Sequence, residues 1–138
     1  MSNKMAEYPV VLNRRKVGKY PALAKAGGGY VWDAVLEYRV WCHGDGDDYY
    51  CAFATYEEAL AFSQATRGAG EPLALILQRE YISEPEPGQF IHVKAERITE
   101  WPVAFLSRPR RTATTLADFF APDAPSNRVD ILRGLAKR

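Results

Sequence analysis

Sulfur, histidine, long apolar runs and net charge are all scarce in this 138-residue chain. There are two cysteines, two methionines and two histidines, and the formal net charge is +1. Cys42 and Cys51 are too few for a disulfide framework, and alone they cannot build a structural zinc site. The longest uncharged apolar run, Leu73 to Leu77, falls far short of the roughly 20 residues that a spanning helix needs. No membrane contact is therefore expected. Residues 1–7 contain no apolar stretch of the signal-peptide kind. With so few cysteines, this predicts a cytoplasmic protein in a reducing compartment. No repeat or low-complexity segment appears. With 47% hydrophobic and 25% charged residues, the chain is neither disordered nor collagen-like, and its length fits one domain.

The small net charge hides an asymmetry. Residues 1–28 carry six basic side chains against Glu7, while residues 29–100 carry five basic against thirteen acidic. Residues 101–138 carry seven basic against three acidic. An acidic middle is thus flanked by basic ends. Those ends either pack near the acidic body of this or a neighbouring chain, or meet an anionic partner such as nucleic acid.

Pro9, Pro21 and Gly27-Gly28-Gly29 predict an irregular basic segment over residues 1–29. From Tyr30 to Cys42 apolar residues alternate with Asp33, Glu37 and Arg39, the period of a strand with one buried face. A loop at Gly44–Asp48 and a returning strand from Tyr49 to Ala54 complete a hairpin. Thr55, with Glu58 three residues on, opens an amphipathic helix through a capping box; Gly68 and Gly70 end it. Leu73–Ile82 predicts a third strand, Ser83–Gln89 a proline-rich loop, and Phe90–Thr99 a fourth strand. The expected fold is α+β: a small antiparallel or mixed sheet in ββαββ order, with one amphipathic helix on a face. The core spans residues 30–106. Residues 107–138 form a basic linker and a docking arm ending in a short helix capped by Ser126 or Asn127. The arm's contact residues are Arg108, Arg110 and Arg111 with the apolar anchors Leu116, Phe119 and Phe120. The pattern leaves open whether the arm docks in cis or on a partner.

The chemical candidates are partial. In a symmetric hairpin Cys42 would face Cys51, and with His43 and Asp45, Asp47 and Asp48 they would offer zinc ligands. The spacing matches no established zinc pattern, so no metal is expected and the cysteines read as small apolar residues. His92, with Lys94 and Glu96 on the polar face of the fourth strand, reads as a solvent-facing histidine. Glu37, Glu80 and Glu96 fall on strands that neighbour one another if the sheet closes suitably. No G-x-S-x-G elbow occurs. The glycines at 27–29 enter a strand and those at 68 and 70 leave a helix, the reverse of a phosphate cradle. Ten aromatic side chains lie on or beside the strands, and they read as the core of a small sheet rather than a stacking platform.

Gly27-Gly28-Gly29-Tyr30-Val31-Trp32-Asp33, Leu36–Trp41, Phe53–Ala59 and Glu100-Trp101-Pro102 together resemble a group of short alphaproteobacterial proteins. That group is commonly labelled as GNAT-superfamily, acetyl-CoA-dependent acetyltransferases. The resemblance spans most of residues 18–135 and implies acetyl transfer from acetyl-CoA to an amine. Of the acetyl-CoA signature, Arg15-Lys16-Val17-Gly18-Lys19-Tyr20 supplies the first half only, and Arg67-Gly68-Ala69-Gly70 has another spacing. No family site residue carries over. The residues themselves predict a small binding or interaction protein that needs no cofactor. It would contact a protein partner or a second copy through its sheet face and arm, or nucleic acid through its basic ends. The alternative expectation is an acetyltransferase of the family type.

Overall fold

The computed structural model describes residues 8–22, 25–44 and 46–136. It has the α+β architecture. Its main sheet comprises β1 (Lys25–Ala26), β2 (Ala34–Cys42), β3 (Tyr49–Phe53), β4 (Leu73–Gln78) and β7 (Arg97–Pro102), in the order β1-β7-β4-β2-β3. The pairing is antiparallel except between β1 and β7. Between β4 and β7 the chain makes a separate hairpin of β5 (Tyr81–Glu86) and β6 (Gln89–Val93). Helix α1 (Tyr56–Ala65) packs on one face of the main sheet.

Two expected strands are each divided. Leu73–Ile82 breaks after Gln78, where the Asp33 carboxylate accepts the Arg79 amide at 2.7 Å and turns the chain out of the sheet. The expected loop at 83–89 is mostly strand: β5 continues to Glu86, and Gly88, at φ +81°, closes a tight turn. Pro85 is tolerated because the β5–β6 register shifts between Ser83 and Glu86, at one of the few sheet positions that can spare an amide. Phe90–Thr99 splits between β6 and β7. Trp101-Pro102, beyond the expected end of the fourth strand at Thr99, is the end of β7, and Trp101 is fully buried.

The single buried face expected of 30–42 also needs correction. A bulge between Val35 and Glu37 changes the alternation. Val35, Tyr38 and Val40 pack under α1 with Ala59, Ala74, Ile76 and Trp101, whereas Ala34 and Leu36 join Leu75 and Leu77 in a different cluster. Glu37 and Arg39, expected to face solvent, are both fully buried. Arg39 bonds Glu37 at 2.6 Å, Glu100 at 3.1 Å and the Pro21 carbonyl at 2.5 Å, and lies over the Tyr50 ring. The N-terminal segment therefore covers the sheet. Val11 bridges to Val35, Tyr38 donates to the Pro9 carbonyl, and the Gly18 amide donates to Glu37. The Thr55 cap of α1 forms as expected, with the Glu58 amide donating to Thr55 Oγ1 at 3.1 Å. The Thr55 hydroxyl in turn donates to the Glu58 carboxylate.

The C-terminal arm docks in cis. Its helices α2 (Thr115–Phe120) and α3 (Arg128–Leu132) cover Tyr30, Val31 and Ile82 with Leu116, Phe119 and Leu132. Burying these side chains contributes about 1.5–3 kcal/mol each, which is why the proline-punctuated arm stays down. Among the described residues, no helix is long and apolar enough to cross a membrane.

Candidate functional site

The most unusual backbone lies where the sheet meets the arm. Gly27, Gly28, Gly29 and Tyr30 all have positive φ, at 55°, 88°, 87° and 67°. Glycine adopts this region freely, but Tyr30 is the one non-glycine there among the described residues, and a bulky side chain in it costs about 1–3 kcal/mol. The sheet end is built to hold this conformation. Thr99 Oγ1 donates to the Gly27 carbonyl, while Gln78 Nε2 and Trp101 Nε1 both donate to that of Gly28. The Gly29 carbonyl accepts from Val31 in a tight turn and from Ile82 at 3.1 Å. Every carbonyl of the three glycines is thus engaged. The amides of Gly28, Gly29 and Tyr30 have no acceptor among the described residues.

These residues line a cleft of about 380 Å³ closed by Tyr81–Glu84 of the hairpin, by Phe105 and by three arginines from different segments. Arg97 opens β7. Its Nε donates to Gln78 Oε1 at 2.7 Å and its guanidinium stacks 3.9 Å from the Tyr81 ring centre. Arg108 follows a short 3-10 turn at Val103–Ser107. It stacks 3.8 Å from the Phe105 ring centre, and its carbonyl accepts from Trp32 Nε1. Arg133 caps the C-terminus of α3 beside the Tyr30 ring, and the following Gly134 fits against the Ser107 carbonyl at φ +74°. None of the three forms an ion pair among the described residues. Burial, and then the neighbouring Arg133 guanidinium, hold Arg108 below the ordinary arginine range. The one carboxylate lining the cleft is Glu84. It accepts the Tyr30 hydroxyl at 2.5 Å and the Gly88 amide at 2.8 Å, bonds that hold it below the usual carboxylate range. Burial, and then Glu84, push the Tyr30 hydroxyl upward.

The other candidates are dispersed. Cys42 pairs with Tyr49 and Cys51 with Val40, so the cysteines are not opposite each other. Both are free thiols, and His43 turns to Asp48 at 3.0 Å. Asp45 lies outside the described residues. Among the described residues no three His, Cys, Asp or Glu side chains gather as a metal site. His92 is not simply solvent-facing: it contacts Glu80 at 2.5 Å and stacks on Phe120. Glu37 lies with Arg39 rather than with Glu80, which instead joins His92 and Arg111.

The arm's contact residues are largely spent within the chain. Leu116 and Phe119 are buried and Phe120 is half-buried against His92, so these anchors do not form a free docking stripe. Arg111 binds Asp33 and Glu80, and Arg110 donates to the Asp33 carbonyl over Trp32. Only Arg108 of the expected contact residues lines the cleft. Gln78, Arg97 and Arg133 went unrecognised because they are far apart in sequence. The glycine run directly before an aromatic residue was the available signal, since three successive glycines mark backbone that other residues cannot adopt.

The segments closest to an acetyl-CoA signature do not present a phosphate cradle. The Gly18 amide is committed to Glu37 and the Gly70 amide to the Trp41 carbonyl; a Cβ at Gly68 would collide with the His43 carbonyl. In comparisons with known proteins, the chain matches no family model, no curated protein and no solved structure.

Proposed function

We propose that this chain is a binding protein whose site is the arginine-lined cleft and whose ligand is a small molecule carrying an anionic group. The carrying observation is the convergence of Arg97, Arg108 and Arg133, none of them ion-paired among the described residues, on a cleft lined by one carboxylate. Natural proteins rarely hold guanidiniums together without a counter-charge, because they repel one another and a part-buried one such as Arg108 loses hydration without recovering Coulomb energy. A bound oxyanion supplies that counter-charge. The strained Tyr30 backbone supports the same reading, since strain of this kind concentrates at ligand clamps. On this reading the arm is a wall of the site rather than a free contact arm. The protein works in a reducing cytoplasm, consistent with the free thiols Cys42 and Cys51.

Calorimetric titration tests the proposal, with inorganic phosphate, benzoate and acetyl-CoA as ligands for the wild type and for Arg108→Gln. At least one of the anions is expected to bind, with affinity about tenfold weaker in the variant, the loss of one charge-assisted hydrogen-bond pair. Acetyl-CoA binding that survives Arg108→Gln, with no other anion bound, would instead favour the acetyltransferase reading. No binding of any of them at millimolar concentration would refute the cleft as an anion site.

A further inference from the structure

Taking the anion-binding reading as its base, we infer that the ligand is a phosphomonoester bound as its dianion. The first argument is charge balance. Three guanidiniums and the Glu84 carboxylate leave the lining with two uncompensated positive charges. A carboxylate ligand neutralises one of them, whereas a phosphomonoester dianion neutralises both. The second argument is donor geometry. Arg97 and Arg108 lie 3.9 and 3.8 Å from the centres of the Tyr81 and Phe105 rings, and Arg133 lies 5.7 Å from that of Tyr30. Stacking fixes a guanidinium's plane and leaves its N–H edge to bond oxygen, so less freedom is lost on binding. Two such groups, with Arg133 beside the Tyr30 hydroxyl as a third donor from another segment, suit an anion with three terminal oxygens better than one with two. The third argument is the backbone: Gly28, Gly29 and Tyr30 line the same cleft, and their amides have no acceptor among the described residues. At about 380 Å³, the cleft falls at the small end of ordinary ligand pockets and exceeds what a phosphate group alone would fill. An organic portion is accommodated beside Tyr30 and Phe105.

The test compares phenyl phosphate, glycerol phosphate and benzoate by calorimetry at about pH 5 and about pH 7.5. A phosphomonoester gains its second charge near pH 6. The cleft lining contains no histidine, and Glu84 is held below the usual carboxylate range. Tyrosine and arginine do not titrate in this window, so the ligand governs the pH response. At the higher pH at least one phosphate ester is expected to bind about tenfold or more tightly than benzoate, the equivalent of one further charge-assisted contact. Its affinity should rise about tenfold from the lower pH to the higher, following the dianion fraction. The two esters distinguish an aromatic from a polyol source of the same phosphate. Arg133→Gln, at an exposed position, should weaken ester binding while leaving the melting temperature within a few degrees. Benzoate binding as well as the esters, or an ester affinity independent of pH, would overturn the dianion assignment and leave the anion-binding reading standing. Failure of every probe would overturn both.

Discussion

Replacing Arg39 with methionine removes the cation from a buried cluster whose remaining charges are both negative. Arg39 and Glu37 are wholly buried, and Glu100 is 16% exposed. With Arg39 gone, Glu37 retains one amide donor, from Gly18 at 2.8 Å, and Glu100 retains Trp41 Nε1 at 2.9 Å. A surface ion pair of this composition would contribute no more than about 1 kcal/mol. Removing one partner of a buried pair leaves an uncompensated charge, and costs about 3–5 kcal/mol. For a chain of this length, that corresponds to a fall of about 10–20 °C in melting temperature. Urea unfolding followed by fluorescence should show the midpoint falling with little change in slope. The double variant Glu37→Gln with Arg39→Met should be more stable than Arg39→Met alone, because it removes the orphaned charge. A loss below about 1 kcal/mol in the single variant would refute the claim that the network needs its arginine.

Three further outcomes follow from other parts of the fold. Gly29→Ala places a Cβ against Gln78 Nε2 and 2.9 Å from Arg97 Nη2, at φ +87°. It should cost about 2 kcal/mol or more in denaturant titration and weaken anion binding together. Phe119→Ala removes a buried ring that packs on Phe90 and under Arg128, and should cost about 3–5 kcal/mol. Hydrogen exchange should then quicken first in the arm. Burial, and then Glu57, raise the Tyr38 hydroxyl above the ordinary tyrosine range, so the neutral form is the one the fold stabilises. That stability is full below about pH 10 and is lost as pH rises beyond it. Tyr38→Phe should flatten this alkaline loss, and an unchanged alkaline unfolding profile would count against the assignment.

The first half of the core was readable because local signals agreed there. Alternation from Ala34 to Cys42, the turn glycines and the Thr55–Glu58 cap all act within a few residues. The bulge between Val35 and Glu37 was not readable, since one extra residue moves side chains between faces without changing composition. The β5–β6 hairpin was hidden by Pro85, Pro87 and Gly88, which mark a loop in most contexts but here serve a register shift and a two-residue turn. Burial of Glu37 and Arg39 depends on Glu100, sixty-one residues beyond Arg39, and no local pattern carries that distance. The candidate site was legible only as fragments. Gly27-Gly28-Gly29 was visible as a stop and Arg108 as part of a basic linker. Arg97 reaches them through the long-range pairing of β4 with β7, and Arg133, at a helix end, joins them only when the arm folds back.

The most direct test of the central claim is an amide NMR titration of the wild-type protein with inorganic phosphate near neutral pH. Saturable shifts centred on Gly28, Gly29 and Tyr30, with the side-chain Nε–H signals of Arg97 and Arg108 moving in parallel, are the predicted result. Shifts centred instead on the exposed basic turn Arg14–Lys16, or no saturable shift at all, would contradict it.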